Sequence, residues 1–312
     1  AGFPVPPGFQ ITTDAYREFV AANGLQPTIA AGMRDLLPDD PTSVQHVSTV
    51  IRDAFLAGVI PEPIAAEIAR AYAALGESAG AVRSSAPAED LPDLSLGGQQ
   101  ETLLDVRGDA ALRDAVRRCW ASLWTGRAIG YRRQMNVPAD DVAMAIVVQR
   151  MVPAEMAGVL FTANPTTGDR DEMVIEATPG LGEALVSGEV TPESYLIDRD
   201  RLEATVTGAG GGERHLLSPA ALRDLAQLGL GVERHFGGVP QDIEWAIAHD
   251  MNWLLQARPI TNLPAAPLAT VRWESPRPGA TWVRRQVVEH MPEPLSTLFA
   301  DLYLDQGLQE SI

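Results

Sequence analysis

The sequence predicts an α+β protein in which helices mix with antiparallel hairpins. Amphipathic stretches with capping signals alternate irregularly with short apolar runs, so the pattern is not a regular βαβ repeat. Several apolar runs late in the chain follow one another with only short turns between them. The chain has 312 residues, 46% of them hydrophobic, which is enough for one large domain or two ordinary ones.

The first part of the chain is predicted to be mainly helical. A capping signal at Thr13 or Asp14 begins a short helix that stops at Gly24. Two more helices are predicted in the segments SVQHVSTVIRDAFLAG and EPIAAEIARAYAAL. The segment DAALRDAVRRCWASLWTGRAIGYRRQM is predicted to be one long amphipathic helix, because its apolar residues recur at near-helical spacing.

Strands are predicted to dominate the second part. The segment VAMAIVVQRMV is continuously apolar, as expected of a strand buried on both faces, and MAGVLFT and EMVIEAT follow it. The segment SPAALRDLAQLGLGVERHFGG is predicted to be a helix with Ser218 as its cap and Pro219 at its first position.

The segment DIEWAIAHDMNWLLQARPI is predicted to form a hairpin with a five-residue turn at AHDMN. Its predicted pairs are Glu244 with Gln256, Asp242 with Arg258, and Ile247 with Trp253. Because side chains alternate along a strand, this register places the four polar residues on one face. The other face is then an apolar core face: Ile243, Trp245, Ile247, Trp253, Leu255 and Ala257.

The polar face of this hairpin has two interpretations. Carboxylate and amide oxygens suit Mg²⁺ held together with substrate phosphates, and an arginine beside them can clamp phosphate oxygens. The alternative is an Asp–Arg pair and a Glu–Gln hydrogen bond on a solvated sheet face. Spacing alone favours the alternative.

Composition excludes several classes of function. Acidic residues number 41 against 24 basic ones, a formal net charge of −17, so a general nucleic-acid binder is not expected. All the basic residues are arginine, and the sequence contains no lysine. The one cysteine, Cys119, is expected to be a small buried hydrophobe. No apolar run is long enough for a membrane span and no signal peptide is visible, so a cytoplasmic protein is expected.

Two other stretches carry groups that suit a nucleotide. In AVRSSAPAEDLPDLSLGGQQETLLDV, Arg83 ends a strand, the turn SLGGQ exposes backbone N–H groups, and Thr102 adds a hydroxyl, all suited to a polyphosphate. In VVQRMVPAEMAGVLFT, Gln149 and Met151 follow a buried strand and could meet an adenine edge. Taken singly, the first stretch is also explained by a flexible surface loop with a helix cap, and its glycine pair is weak evidence. The second, taken alone, is better explained as an ordinary core strand that ends at Pro153.

Taken together and in order, these segments resemble a known family. The segments are, in chain order, GFPVPPGFQITTDAY, AVRSSAPAEDLPDLSLGGQQETLLDV, CWASLWTGRAIGYRRQM, VVQRMVPAEMAGVLFTANPTTG, GLGEALVSGEVTPESY and DIEWAI with LLQARPIT. They are similar to the ATP-grasp nucleotide-binding domain of phosphoenolpyruvate synthase, pyruvate phosphate dikinase and rifampicin phosphotransferase. The resemblance covers residues 1 to 262, with 263 to 312 as a linker and the start of a following substrate domain.

The resemblance implies ATP and Mg²⁺ as cofactors and a role for each matching residue. Arg83 would contact phosphates, Gly98 and Thr102 would line the phosphate loop, and Gln149 would lie at the adenine end. Glu244 and Gln256 would hold Mg²⁺ and the phosphates, with Asp242 in support. Arg258 would stabilise charge on the transferring phosphoryl group, so Arg83 and Arg258 are the expected catalytic residues.

The chain departs from the family pattern in three places. Pro87 stands where the family usually has threonine, and a Gly-Gly-Lys-Gly stretch expected upstream of PVPPGF is absent. None of the five histidines has the Thr-Ser-His context of the family's phosphoryl carrier: His46, His215, His235, His249 and His290. A missing N-terminal segment and a swivelling phospho-histidine domain on another part of the protein are therefore expected.

Three functions remain open at this point. The first two are parts of an enzyme that splits ATP to AMP and phosphate and passes a phosphoryl group, via the histidine, to a small-molecule acceptor. The layout after residue 262 favours an enzyme like rifampicin phosphotransferase. The second is phosphoenolpyruvate synthase, whose acceptor is pyruvate. The third is a nucleotide-binding module that is inactive in isolation.

Overall fold

The computed structural model describes residues 2–37, 40–85, 102–134, 137–139, 142–186, 188, 190–207, 215–261, 263 and 264. All of these residues belong to one compact unit, Ala1–Pro267. The predicted boundary at residue 262 and the segment that follows it therefore remain predictions. Within the described part of the chain, no helix is long and apolar enough to cross a membrane.

A four-stranded antiparallel sheet forms the first half of this unit. Its spatial order is β1 (Gly8–Ile11), β4 (Ala145–Arg150), β2 (Gly80–Ser85) and β3 (Thr102–Val106). The strand predicted in VAMAIVVQRMV is confirmed as β4, which lies between two neighbours. Its residues Ile146 and Val148 join Val82 of β2 in the core beneath the sheet. The expected burial on both faces was wrong, because Ala145 and Val147 are only partly buried.

Among the described residues, six helices accompany this sheet: α1 (Thr13–Ala22), α2 (Gln26–Asp35), α3 (Pro41–Ala57), α4 (Glu62–Ala74), α5 (Asp109–Ser122) and α6 (Gly126–Gln134). Aromatic side chains fill their core, and the rings of Phe19 and Trp120 lie 4.8 Å apart. Cys119 is fully buried in the same cluster, as predicted. The sequence reading missed α2.

The prediction of one long helix between residues 109 and 135 was wrong, because the segment forms α5 and α6. The backbone tightens after Ser122, where N–H groups of Leu123 and Trp124 bond to carbonyls three residues back. Thr125 then caps α6, since its hydroxyl accepts a hydrogen bond from the backbone N–H of Ala128 at 3.3 Å.

A six-stranded antiparallel sheet forms the second half. Its order is β10 (Met251–Pro259), β9 (Gln241–Ala248), β5 (Met156–Phe161), β6 (Glu172–Pro179), β7 (Glu193–Asp198) and β8 (Ala204–Val206). Helix α7 (Glu183–Val186) is a single turn. Helix α8 (Pro219–His235) packs its apolar side against one face of the sheet. Its predicted cap is confirmed, because the Ser218 hydroxyl accepts from the backbone N–H of Ala221 at 3.2 Å.

One contact network fixes the entrance to β9. Thr162 accepts a hydrogen bond from the N–H of Gln241 on its hydroxyl at 2.8 Å, and the Thr162 carbonyl accepts from Arg199 at 2.8 Å. Arg199 also forms an ion pair with Glu233 of α8. Helix α8 is thereby tied to the first residue of β9, which directly precedes Asp242.

Candidate functional site

The hairpin of β9 and β10 brings the predicted polar residues together. Glu244 lies opposite Gln256, and Asp242 lies opposite Arg258, as the sequence predicts. The Nε of Arg258 donates to Oδ2 of Asp242 at 2.9 Å. The Asp242 side chain is only 14% exposed, and Arg258 is 43% exposed. The pair is thus fixed at the edge of the sheet, with the arginine accessible from solvent.

The predicted five-residue turn was wrong, because Ala248 pairs directly with Met251. The two turn residues, His249 and Asp250, have φ values of 52° and 58°. Positive φ at both central residues matches the twist of the strands in a two-residue hairpin turn. The prediction that Ile247 pairs with Trp253 was also wrong, since Ile247 faces Asn252.

A bulge at Leu255 restores the predicted register in the polar half. Leu254 faces Trp245 and Gln256 faces Glu244, so Leu255 is an additional residue on its strand. Trp253 and Leu255 consequently pack with Ala246 and Ala248 rather than on the core face, where they were predicted. Leu254 instead joins the core beside Trp245.

The first sheet presents its site residues on the face away from the helical core. Arg83 lies opposite Thr102 on one side and Val147 on the other, and Gln149 is two residues further along β4. By alternation, Arg83, Thr102 and Gln149 share one face. Thr102 is exposed, whereas Gln149 is 7% exposed and its amide lies 3.5 Å from the carbonyl oxygen of Pro6.

Arg83 joins the two sheets. Its Nη1 donates to Oε2 of Glu244 at 2.8 Å and to Oε1 of Gln256 at 2.7 Å. The side chains of Arg83 and Glu244 are 16% and 28% exposed. The Arg83 Nε is buried with no hydrogen-bond partner among the described residues, so the guanidinium keeps a donor for another acceptor.

These contacts test whether the site fits a divalent cation. One nitrogen of Arg83 bonds to both Glu244 and Gln256, so their two oxygens converge on a single point. Mg²⁺ is usually held by one or two carboxylates, with phosphates and water supplying the remaining ligands. A carboxylate and an amide fit that pattern. The described residues include no group of three or more His, Cys, Asp and Glu side chains that could hold a metal unaided.

Glu176 is a further carboxylate on this face that was not predicted from the sequence. Val159 of β5 lies opposite both Glu176 and Glu244, which places the two glutamates in one row across the sheet. Burial, followed by repulsion from Asp242, raises the pKa of Glu176. The alternation of polar and buried residues in EMVIEAT was the available signal.

Burial likewise raises the pKa of Asp242, and the charge of Glu244 acts in the same direction. The attraction and hydrogen bond of Arg258 oppose that rise. The carboxylates of Glu176, Asp242 and Glu244 therefore repel one another on this face, and a bound cation would reduce that repulsion.

The remaining predicted residues lie elsewhere or outside the described part. Gly98, Pro87 and His290 are not among the described residues. His46 belongs to α3, His235 ends α8 and His249 lies in the hairpin turn. The Nδ1 of His215 is 2.7 Å from the buried carboxylate of Glu193, which gives this histidine a structural role.

The chain is similar in sequence to known proteins. Residues 1–214 and 207–275 match the family model described as the pyruvate phosphate dikinase, AMP/ATP-binding domain. A probable phosphoenolpyruvate synthase of Methanothermobacter thermautotrophicus is 42% identical over 290 residues, covering 84% of this chain and 42% of that protein. A rifampicin phosphotransferase of Streptomyces sviceus is 41% identical over 286 residues, covering 84% of this chain and 32% of that protein.

The chain spans less than half of the length of these relatives. The family match nevertheless extends over most of its residues, including both sheets and the hairpin. The predicted α+β architecture is confirmed, since the described residues form two antiparallel sheets with flanking helices. The ATP-grasp assignment that the resemblance implies remains a prediction. The chain belongs to the pyruvate phosphate dikinase AMP/ATP-binding domain family.

Proposed function

We propose that this chain binds Mg·ATP between the polar faces of its two sheets, as the nucleotide-binding part of an ATP-dependent phosphotransferase. The observation that carries the proposal is the meeting of Arg83 with Glu244 and Gln256. These residues come from distant parts of the sequence, and each belongs to a segment that resembles the family. A solvated ion pair would not require both sheets to aim their polar residues at one point.

The proposed roles follow from the chemistry of each side chain. Glu244 and Gln256 supply oxygens to Mg²⁺, which when bound neutralises phosphate charge. Arg83 and Arg258 are fixed cations that donate to phosphate oxygens. The remaining contacts are assigned by the resemblance: Gly98 and Thr102 to the phosphates, Gln149 to the adenine end and Asp242 to support of the metal site.

Catalysis by these residues would consist of positioning and charge stabilisation. The residues of this chain form no covalent bond to the transferring phosphoryl group, so fixed cations at its oxygens provide most of their effect. The Asp242 carboxylate orients Arg258 through the 2.9 Å hydrogen bond to its Nε. The remaining N–H groups of that guanidinium stay available for the substrate.

In the complete reaction that we propose, ATP loses two phosphoryl groups and leaves AMP. Water accepts one of them to form phosphate, and the other passes, through a histidine of another domain, to a small-molecule acceptor. The segment WVRRQVVEHMPEPLSTLFADLYL favours a rifampicin-type acceptor, since it resembles the substrate domain of such enzymes. Pyruvate is the alternative acceptor, because relatives of similar identity are called phosphoenolpyruvate synthases.

A nucleotide-binding module without turnover is the competing function for the chain alone. Its support is the partial coverage of the relatives, of which the chain spans 42% and 32%. Measuring ATP consumption by the chain, before and after adding a phospho-histidine domain of the family, separates the two. We expect AMP formation to require the added domain, and turnover by the chain alone would exclude the inactive module.

Replacing Glu244 by glutamine is expected to weaken Mg·ATP binding by about tenfold or more, since even the outer partners of metal ligands contribute 10- to 100-fold. The substitution retains the shape of the side chain and removes its charge. Calorimetric titration with Mg²⁺ and a non-hydrolysable ATP analogue measures the effect.

Glu67→Gln is the matched control, because Glu67 is 76% exposed on α4. It should bind the nucleotide as the parent does. Equal affinity of Glu244→Gln and the parent would show that the carboxylate is not a ligand, and the polar face would then be an ordinary solvated surface.

A further inference from the structure

The guanidinium of Arg83 occupies the point where the Glu244 and Gln256 oxygens converge. Its Nη1 is 2.8 Å from one oxygen and 2.7 Å from the other. The Arg83 side chain is 16% exposed, so solvent only partly screens these bonds. A positive group therefore already satisfies the pair of oxygens that the proposed function gives to a metal ion.

A divalent cation and the Nη1 of Arg83 cannot hold this pair of oxygens at the same time. An ion that both oxygens bind at about 2.1 Å lies at the point where they converge, and Nη1 occupies that point. Beside the ion, the guanidinium would hold its positive charge close to that of the ion without an anion between them. The other fixed cation on this face, Arg258, is bonded to Asp242 instead.

We propose that Arg83 and a divalent cation are alternative occupants of the Glu244–Gln256 pair. When the cation binds, Arg83 leaves and its donors become available to the anion that accompanies the cation. Since Arg83 belongs to β2 and its acceptors to β9 and β10, the exchange also breaks two hydrogen bonds between the two sheets. The identification of that anion as a nucleotide phosphate rests on the proposed function; the exchange itself does not.

Binding of Mn²⁺ alone, without nucleotide, tests the exchange. Arg83→Met keeps the length of the stem and removes the competing cation. In the parent, Arg83 must first give up its two hydrogen bonds to these oxygens, so we expect Mn²⁺ to bind this variant about tenfold tighter than the parent. Electron paramagnetic resonance of free Mn²⁺ measures the affinity, and thermal unfolding verifies that the variant is folded.

Arg258→Met is the matched control for loss of one positive charge from the same face. Arg258 does not contact Glu244 or Gln256 in the described structure, so its removal should raise Mn²⁺ affinity clearly less. Equal gains in both variants would overturn the exchange, because net charge alone would explain them. An unchanged or weaker affinity of Arg83→Met would also overturn it.

Two further measurements locate the ion. Adding Glu244→Gln to Arg83→Met should abolish the gain, and a gain that persists would overturn the proposal by placing the ion elsewhere. If Arg83→Met does not fold, the parent provides the test through NMR of its arginine side-chain N–H groups. Saturating Mg²⁺ should shift the resonance of Arg83, and an unaltered resonance at saturation contradicts the exchange.

Nucleotide titration separates this inference from the proposed function. Arg83→Met should bind Mg·ATP more weakly while it binds Mn²⁺ alone more tightly, and a purely structural role would not move the two affinities in opposite directions. If the parent binds Mn²⁺ but no nucleotide, the proposed function fails and the Mn²⁺ comparison still decides the exchange. If nucleotide binds normally and the Mn²⁺ comparison shows no gain, only the exchange fails.

Discussion

Replacing Arg258 by alanine is expected to slow phosphoryl transfer on the order of a thousandfold, the effect of removing a cation that stabilises a transferring phosphoryl group. Arg258 is 43% exposed and lies on the polar face of the hairpin, away from the apolar core around Trp245. The fold should therefore persist. Single-turnover transfer from ATP, with the chain combined with a phospho-histidine domain of the family, measures the rate.

Arg17→Ala serves as the control for Arg258→Ala. Arg17 is 61% exposed and pairs with Asp14 on α1, in the helical part of the chain. It should leave both rate and stability unchanged, since exposed ion pairs contribute little. If Arg258→Ala retained the parent rate, Arg258 would be only the ion-pair partner of Asp242.

Replacing Gly158 by alanine is expected to lower the free energy of unfolding by about 3 kcal/mol, the upper part of the usual range for overpacking. A Cβ atom at this position would overlap the backbone oxygen of Glu176 and lie 2.6 Å from Cζ2 of Trp245. Neither neighbour can move easily, because β5 is paired on both sides and Trp245 is fully buried. Urea denaturation monitored by tryptophan fluorescence measures the loss.

Gly130→Ala is the opposite case. Among the described residues, no atom outside the surrounding turns of the helix lies within 4 Å of a Cβ at Gly130, which lies inside α6. Alanine there should raise the free energy of unfolding by about 0.5–1 kcal/mol, because it restricts the unfolded chain and favours helix. Similar stability for Gly158→Ala and its parent would mean that β5 can separate from its neighbours at little cost.

Local chemistry made much of the fold predictable. Ser218 and Pro219 are strong signals, and α8 begins where they place it. The break between α5 and α6 was not predicted, because the apolar stripe continues across Thr125 and concealed its capping role. Strands β7 and β8 also were not predicted. Strand β8 has only three residues, and all of them are exposed.

The site was predictable within each strand and less so between strands. Alternation correctly aligned Glu244 with Gln256, although the turn and the bulge that produce this alignment were not foreseen. The contact of Arg83 with Glu244 joins residues 161 positions apart, and nothing in the local pattern encodes it. Glu176 went unnoticed for a related reason, because it reaches the site face only through the pairing of β5 with both neighbours.

Because Leu255 is an extra residue in its strand, the hairpin can lose one residue near its turn without shifting the pairing of its polar half. If one residue such as Met251 were lost, Leu255 would move into the ladder opposite Trp245, and Gln256 would keep its position opposite Glu244. Trp253 and Leu254 would exchange faces, at a cost in packing. Changes of length near the turn are thus absorbed in the apolar half of the hairpin, and the polar half is insulated from them. Hairpins of different length can therefore carry the same arrangement of polar groups.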